Sequence, residues 1–352
     1  MKLFSPFLLI SLNLFFPAES PKTPKSILPN HLTPGDTIMF IAPSGSLDST
    51  RMALAKKRLE NRGYITIQST DLFRSWGYLG GSDERRAHEI MDAFQNQSVK
   101  AIFPGTGGYG TTRILDMLDY NVIKNNPKIL IGFSDITGLH LAIHKKTGLI
   151  TFHSPNPMYG LGNKDNLSPI SDTYFWRAIE QVNPEGYTID LASFGLKDSV
   201  IILHPGVGTG QLIGGNLSLI CTLMGTPYEI DTDGKILFIE DIGEAPYRID
   251  RYLSQLKLGG KFDHLQGVIL GKFTRRSDEP PDDPDSFKMM EVLKQYFSDM
   301  EKPVLANFPI GHYKYNVTLP IGTHAQLDAD KKLIRIIHSP TKSPDEEINI
   351  QK

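Results

Sequence analysis

The sequence predicts an α/β protein built on a parallel sheet with helices on both sides, in a chain long enough for two domains. Three observations predict it. Apolar runs of strand length alternate with amphipathic helical patterns through the first half of the chain, and strands that alternate with helices pair in parallel. The 352 residues amount to two domains at about 150 residues each. The composition, 40% apolar and 22% charged, is that of an ordinary globular chain and excludes wholesale disorder, collagen-like and coiled-coil architectures.

The elements follow in order. Residues 37–42 (TIMFIA) form a buried strand that ends at Pro43-Ser44-Gly45. Residues 52–59 are helical, with Gly63 as a C-terminal stop, and residues 64–68 are the next strand. Ser82 caps a helix whose first turn holds Asp83 and Glu84, and Ala87, Ile90, Met91 and Phe94 fall on one face. A strand at 101–104, a glycine loop from Gly105 to Gly110, a helix at 111–119, a strand at 128–132 and a helix at 137–146 complete the first half. Residues 152–171, rich in Pro, Gly and Asn, read as a passage between domains. Residues 206–215 read as a glycine-dense turn region, followed by helix 216–224, strand 235–239, helix 249–257 and strand 267–273. Residues 275–287 read as an exposed loop whose acids form the chain's one block of like charge, and 339–352 as a polar tail. The expected divisions are 1–20 as a leader, 33–160 as the first domain, 161–205 as a linker or crossover, 206–338 as the second domain, and 339–352 as the tail.

The leader rests on Lys2, an apolar stretch from Leu3 to Phe16, Pro17, and a small-x-small site at Ala18-Glu19-Ser20. That pattern is a secretory signal, and the apolar run is shorter than the roughly 20 residues of a membrane-spanning helix. The chain is therefore expected to be exported, in the periplasm, with no stable membrane insertion once the signal is cleaved. With 37 basic and 39 acidic side chains the net charge is −2, which argues against an electrostatic grip on nucleic acid or anionic lipid. The one cysteine, Cys221, excludes an intramolecular disulfide and a cysteine-based zinc site, and its apolar setting makes it a packing residue.

Four segments can carry chemistry. In Gly132-Phe133-Ser134-Asp135-Ile136-Thr137 a buried strand runs straight into a helix. Such a sharp turn exposes its middle side chain and aims helix N–H groups at a nearby oxyanion, which suits a serine nucleophile; the same residues also suit a plain helix cap. The second glycine of the Gly-x-Ser-x-Gly elbow is missing. Upstream, Gly105-Thr106-Gly107-Gly108-Tyr109-Gly110 satisfies Gly-x-Gly-x-x-Gly, which can cradle a dinucleotide pyrophosphate, serve as an oxyanion hole, or simply turn the chain. No acidic residue follows at the distance a dinucleotide site uses. Residues 235–239 run into Glu240-Asp241-Ile242-Gly243-Glu244, with Tyr247-Arg248 beyond, and acids at a strand end invite a functional reading. Near the C-terminus, Gly311-His312 precedes Leu319-Pro320-Ile321-Gly322. A serine, an acid and a histidine on separate loops would make a hydrolase, in which the imidazole takes the hydroxyl proton.

Together these segments resemble the serine LD-carboxypeptidase family, which includes murein tetrapeptide carboxypeptidases and microcin-immunity hydrolases. The resemblance is carried, in order, by Pro34-Gly35-Asp36, Ile41-Ala42-Pro43-Ser44, Gly107-Gly108-Tyr109-Gly110, Gly132–Thr137, Gly214-Gly215-Asn216-Leu217, Leu223-Met224-Gly225-Thr226-Pro227, Glu240-Asp241, Glu244, Pro246-Tyr247-Arg248, Gly311-His312 and Leu319–Gly322, over about residues 33–330. It implies Ser134 as nucleophile, His312 as general base, Glu240 as the acid that orients it, and the N–H groups of Gly108 and Asp135 as oxyanion hole. It implies an α/β N-terminal domain, a β-rich α/β C-terminal domain, an active site between them, a homodimer, and no metal or other cofactor. The implied substrate is a small muropeptide, cleaved at the amide between an L-centre and a C-terminal D-amino acid. Thr106 stands where the family usually has arginine, so Arg113 and Arg248 are the candidates to grip the substrate carboxylate. The rival readings are the same triad acting on a peptide–nucleotide amide, a nucleotide-binding oxidoreductase using the Gly105–Gly110 loop, and a catalytically dead muropeptide-binding protein.

Overall fold

A computed structural model describes residues 25–275 and 285–344. The expected leader, most of the acidic loop and the end of the polar tail lie outside the described residues.

The first unit is the alternation that the sequence pattern predicts. β1 (Thr37–Ile41), α1 (Ser49–Asn61), β2 (Ile65–Gln68), α2 (Asp83–Gln95), β3 (Val99–Pro104), α3 (Tyr120–Asn125), β4 (Ile129–Gly132), α4 (Thr137–Thr147) and β5 (Thr151–His153) follow in turn. Their five strands pair in parallel, in the order β5-β4-β3-β1-β2. Ser82 caps α2 by accepting a hydrogen bond from the Arg85 N–H, as expected, and Ala87, Ile90 and Phe94 are buried while Met91 is half-buried. The helix expected at 111–119 does not form. Two 3₁₀ turns, Thr111–Arg113 and Leu115–Met117, stand there, and α3 starts afresh at Asp119, whose side chain accepts from the N–H groups of Asn121 and Val122.

Residues 161–205, expected as a linker, carry α5 (Pro169–Glu180), β6 (Tyr187–Ile189) and β7 (Ile201–His204). Phe175, Trp176, Ala178 and Ile179 of α5 pack into an apolar cluster with Phe40, Phe103 and Phe152 of the first sheet.

The second unit contains β8 (Val207–Asn216), α6 (Leu217–Thr222), β9 (Lys235–Ile242), α7 (Pro246–Leu258), β10 (Gly267–Thr274), α8 (Met289–Phe297), β11 (Val304–Ala306), β12 (Leu319–Ile321), β13 (His324–Asp328) and β14 (Leu333–Ile336). Six of these strands, with β6 and β7, supply a sheet of order β6-β14-β13-β8-β9-β10-β11-β7, parallel from β8 to β11 and antiparallel at both flanks; β12 is the strand that leaves it. The glycine-dense segment expected as turns is β8 itself. Its glycines are there for close backbone approach: a Cβ on Gly210 would lie 2.6 Å from the Gly234 carbonyl oxygen.

Two features join the units. β12 returns to the first sheet and pairs antiparallel with β5, Leu319 opposite His153 and Ile321 opposite Thr151. Pro320 is tolerated because β12 is the sheet edge. One apolar cluster also runs through both units, from Ile90, Leu130 and Leu139 to Leu212, Phe238 and Ile269.

Candidate active site

β4 ends at Gly132, and the chain turns within three residues into a 3₁₀ turn (Ser134–Ile136) and then α4. Ser134 takes φ +63°, a left-handed conformation unusual for a residue with a side chain. Strain of this kind, about 1–3 kcal/mol, persists only where the surroundings hold it. They do so through Asp135, which is 1% exposed. Its carboxylate accepts from the Ser44 hydroxyl and from the Thr111 N–H (2.9 Å), while the Thr111 hydroxyl donates to the Asp135 carbonyl (2.6 Å). Burial pushes the Asp135 carboxyl up, against these donors.

The glycine loop closes over the serine through Gly107. A Cβ there would lie 2.8 Å from the Ser134 Cβ and 3.3 Å from the Asp135 nitrogen, so only glycine allows the approach. The Gly107 carbonyl accepts from the Gly45 N–H (3.1 Å). A trans peptide then turns the Gly108 N–H away from Gly45. No α-helix follows the loop, only the Thr111–Arg113 turn, so it lacks the helix N-terminus that a dinucleotide pyrophosphate needs.

Glu240 lies inside β9, one strand position further into the element than the sequence pattern suggested, and is fully buried. Its Oε2 meets His312 Nδ1 at 2.6 Å and accepts the His312 N–H at 3.3 Å. Gly311, at φ +94°, makes the turn possible: a Cβ there would run into the Glu240 carboxylate. Burial pushes Glu240 up, but the imidazole pulls it below the usual carboxylate range. Burial likewise pushes His312 down, and the carboxylate overrides this, leaving the ring above its ordinary value of 6.5. With Nδ1 engaged, Nε2 is the ring nitrogen left to take a proton. The Phe133 ring, next to the serine, packs on the His312 ring with centroids 4.8 Å apart.

Ser134 and His312 line one cavity of about 730 Å³, together with Gly107 and Gly108. Thus the chain brings a hydroxyl, an imidazole backed by a buried carboxylate, and a glycine loop to one cleft from four distant segments. This set can perform nucleophilic acyl transfer. Arg113 and Arg248 do not join it. Arg113 is on the surface in a two-pronged pair with Asp83 (2.6 Å at its shortest), and Arg248 is held by the Tyr247 hydroxyl (3.1 Å) and Glu244 (3.4 Å); neither lines the cavity. The expected arginine grip on the substrate is therefore corrected: both guanidiniums already have surface carboxylates or a phenol as partners. Cys221 is buried as expected, and burial pushes its thiol up to about 12.

The sequence reading gave Ser44 and His153 no role in the site. His153, fully buried between the Phe133 and Phe238 rings, is pushed down to about 4 by burial and stays neutral beside the Glu240–His312 pair. No local spacing marks these residues, since Ser44 and Asp135 are 91 residues apart.

The chain is also similar to known proteins along most of its length. Residues 38–154 match the LD-carboxypeptidase N-terminal domain and residues 209–327 the LD-carboxypeptidase C-terminal domain. A probable murein peptide carboxypeptidase of Bacillus subtilis is 38% identical over 304 residues, covering 86% of this chain and 92% of that one. The microcin C7 self-immunity protein MccF of Escherichia coli is 31% identical over 328 residues, covering 87% and 94%. The crystal structure of a muramoyltetrapeptide carboxypeptidase from Oxalobacter formigenes superposes with a TM-score of 0.70 at 29% identity, covering 85% of this chain and 97% of that one.

Proposed function

The chain belongs to the LD-carboxypeptidase family, and from that premise we infer how it works as a serine-type carboxypeptidase: it hydrolyses the amide between an L-centre and a C-terminal D-amino acid, such as the terminal D-Ala of a murein tetrapeptide. The observation that carries the reading is the Glu240–His312 pair, joined at 2.6 Å, facing the same cavity as the strained Ser134.

In this mechanism the Ser134 hydroxyl attacks the amide carbonyl while His312 Nε2 takes its proton. Glu240 holds the imidazole in the tautomer with hydrogen on Nδ1 and stabilises the imidazolium that forms. The N–H groups of Gly108 and Asp135 receive the oxyanion, each such donor being worth about 2.7–4 kcal/mol. His312 returns the proton to the leaving D-amino acid nitrogen. Water then cleaves the acyl-serine with His312 again as base.

Further parts of the reading rest on sequence. Lys2, the apolar stretch after it and Ala18-Glu19-Ser20 support export to the periplasm, where peptidoglycan is at hand. A homodimer is part of the same proposal, checked by sedimentation of the mature protein. The likeness to a microcin self-immunity protein supports a second substrate class, a peptide–nucleotide amide, for the same triad.

The test is mass spectrometry of muropeptides incubated with the mature protein and with Ser134→Ala. Wild type is expected to release D-Ala and the variant to lose at least about 10⁴-fold in rate with its fold intact. A folded Ser134→Ala protein with full activity overturns the mechanism. Release from a peptidyl nucleotide with none from muropeptides favours the second substrate.

A further inference from the structure

Behind the catalytic pair lies a buried histidine that the mechanism does not use. His153 ends β5, paired with Gly132 of β4 on one side and Leu319 of β12 on the other. It is 0% exposed, it does not line the cavity, and neither of its ring nitrogens has a hydrogen-bond partner. Glu240 has a matching gap. Its Oε2 takes both bonds from His312, and its buried Oε1 takes none. A buried polar atom without a partner is rare in a folded protein, and one on a charged group is the costliest kind.

The rings between them place the two side chains together. His153 packs edge-on against Phe238, with centroids 5.2 Å apart, and Phe238 points to the same face of β9 as Glu240, two residues on. The Phe133 ring packs against both imidazoles, 6.2 Å from His153 and 4.8 Å from His312 between centroids. The charges agree. Against its own burial, Glu240 is drawn down by His312 and then by His153. Burial pushes His153 down to about 4, with Glu240 pulling the other way, so the ring is neutral near pH 7 and carries one N–H. His140 also acts on His153 and offers a rival acceptor: its Nε2 donates to the Gly132 carbonyl (2.9 Å), which leaves Nδ1 as a lone pair without a partner. A carboxylate wins over a neutral ring nitrogen for a single N–H, because charge-assisted bonds are about twice as strong. Asp241, the other acid acting on the pair, is held by the Asn216 amide (2.9 Å) and the N–H groups of Ser218 (2.9 Å) and Ile242 (2.8 Å).

We propose that His153 is a positioning residue whose ring N–H donates to Glu240 Oε1. This rests on the hydrolase reading of Ser134, Glu240 and His312 and deepens it. The acid that aims the imidazole is then held at both oxygens, by His312 on Oε2 and by His153 on Oε1. The second hold comes from the sheet that carries the serine, so the unit that supplies the nucleophile also fixes the acid of the other unit.

The experiment compares His153→Phe with His153→Gln. Phenylalanine fills the aromatic surroundings and has no N–H, whereas glutamine keeps an N–H donor and packs less well. On an L,D-tetrapeptide ending in D-Ala, His153→Phe is expected to lose about 10- to 100-fold in kcat, the scale of one bond to a charge, with KM little changed because the residue does not touch the cavity. The inflection of kcat/KM with pH is expected to rise by about 0.5 to 1 unit, since a carboxylate that has lost a donor holds the His312 proton more tightly. Glutamine is expected to restore most of both. NMR titration of the His312 ring in wild type and both variants reads the same shift without substrate, and thermal melting shows that each variant is folded. The proposal is overturned if His153→Phe keeps the wild-type kcat and inflection while His153→Gln loses activity, the pattern of a residue that only packs. It is also overturned if folded His153→Phe leaves the His312 titration unmoved. Wild type inactive on the peptide is a separate failure: it removes the carboxypeptidase reading, while the NMR titration still decides the role of His153.

Discussion

At Ser134 the backbone is held in a left-handed conformation by contacts its own side chain does not make. The Asp135 carboxylate is fastened to Ser44 and Thr111, and Gly107 closes over the hydroxyl. The serine backbone is thereby fixed at the cavity wall, and positioning of this kind contributes to rate. On the other side of the cleft the same economy governs Glu240 and His312. Replacing Glu240 by Gln removes the carboxylate that raises the His312 pKa and leaves the burial that lowers it. In wild type, kcat/KM is expected to rise with pH through an inflection above 6.5, because the base acts only when neutral. In Glu240→Gln the inflection is expected to move to lower pH while the plateau falls by about 10⁴-fold, as the tautomer is no longer fixed. A pH–rate profile checks both, and an unmoved inflection would detach Glu240 from His312. Gly311→Ala is expected to be severe as well. Its Cβ meets the Glu240 carboxylate and its φ of +94° disfavours any side chain, so a fall in melting temperature should accompany loss of turnover.

Among the elements, the turns around the cleft matter more than the strands. Gly107→Ala puts a methyl 2.8 Å from the Ser134 Cβ, so the loop must retreat and carry its N–H groups with it. Turnover is expected to fall about 100- to 1000-fold, the scale of one lost oxyanion donor, with the KM little changed. A matching rise in KM would mean that the loop binds substrate instead. The elements legible in sequence were those with a clean period: α2, with its Ser82 cap and its apolar face, and the short buried strands β1, β3 and β4. Those that were not legible obey distant contacts. Residues 111–119 lose their helix because Thr111 is tied to Asp135, and β8 hides as a glycine run because its glycines answer to neighbouring backbones. The site divides the same way. Ser134, Glu240 and His312 could be picked out by local pattern and family likeness, whereas Arg113 and Arg248 were chosen on charge alone and proved to be engaged with Asp83, Tyr247 and Glu244.

On the scale of the molecule, the cleft lies between two units that share one apolar cluster and one strand. Such a chain is expected to melt in a single transition despite its length, and calorimetry in which the measured and van't Hoff enthalpies agree is the check. Two separable transitions would show that the joint is weak. β12 sets the geometry of catalysis too, because the segment from Gly311 to Leu319 is strung between β10 and β5, so that His312 is held on both sides of the cleft. Its consequence reaches back to the making of the protein. The nucleophile's sheet lacks this edge until residue 321 has been synthesised. A nascent or truncated chain therefore carries Ser134 without the imidazole or the edge that frames it. Hydrolytic power arrives only once both have been made.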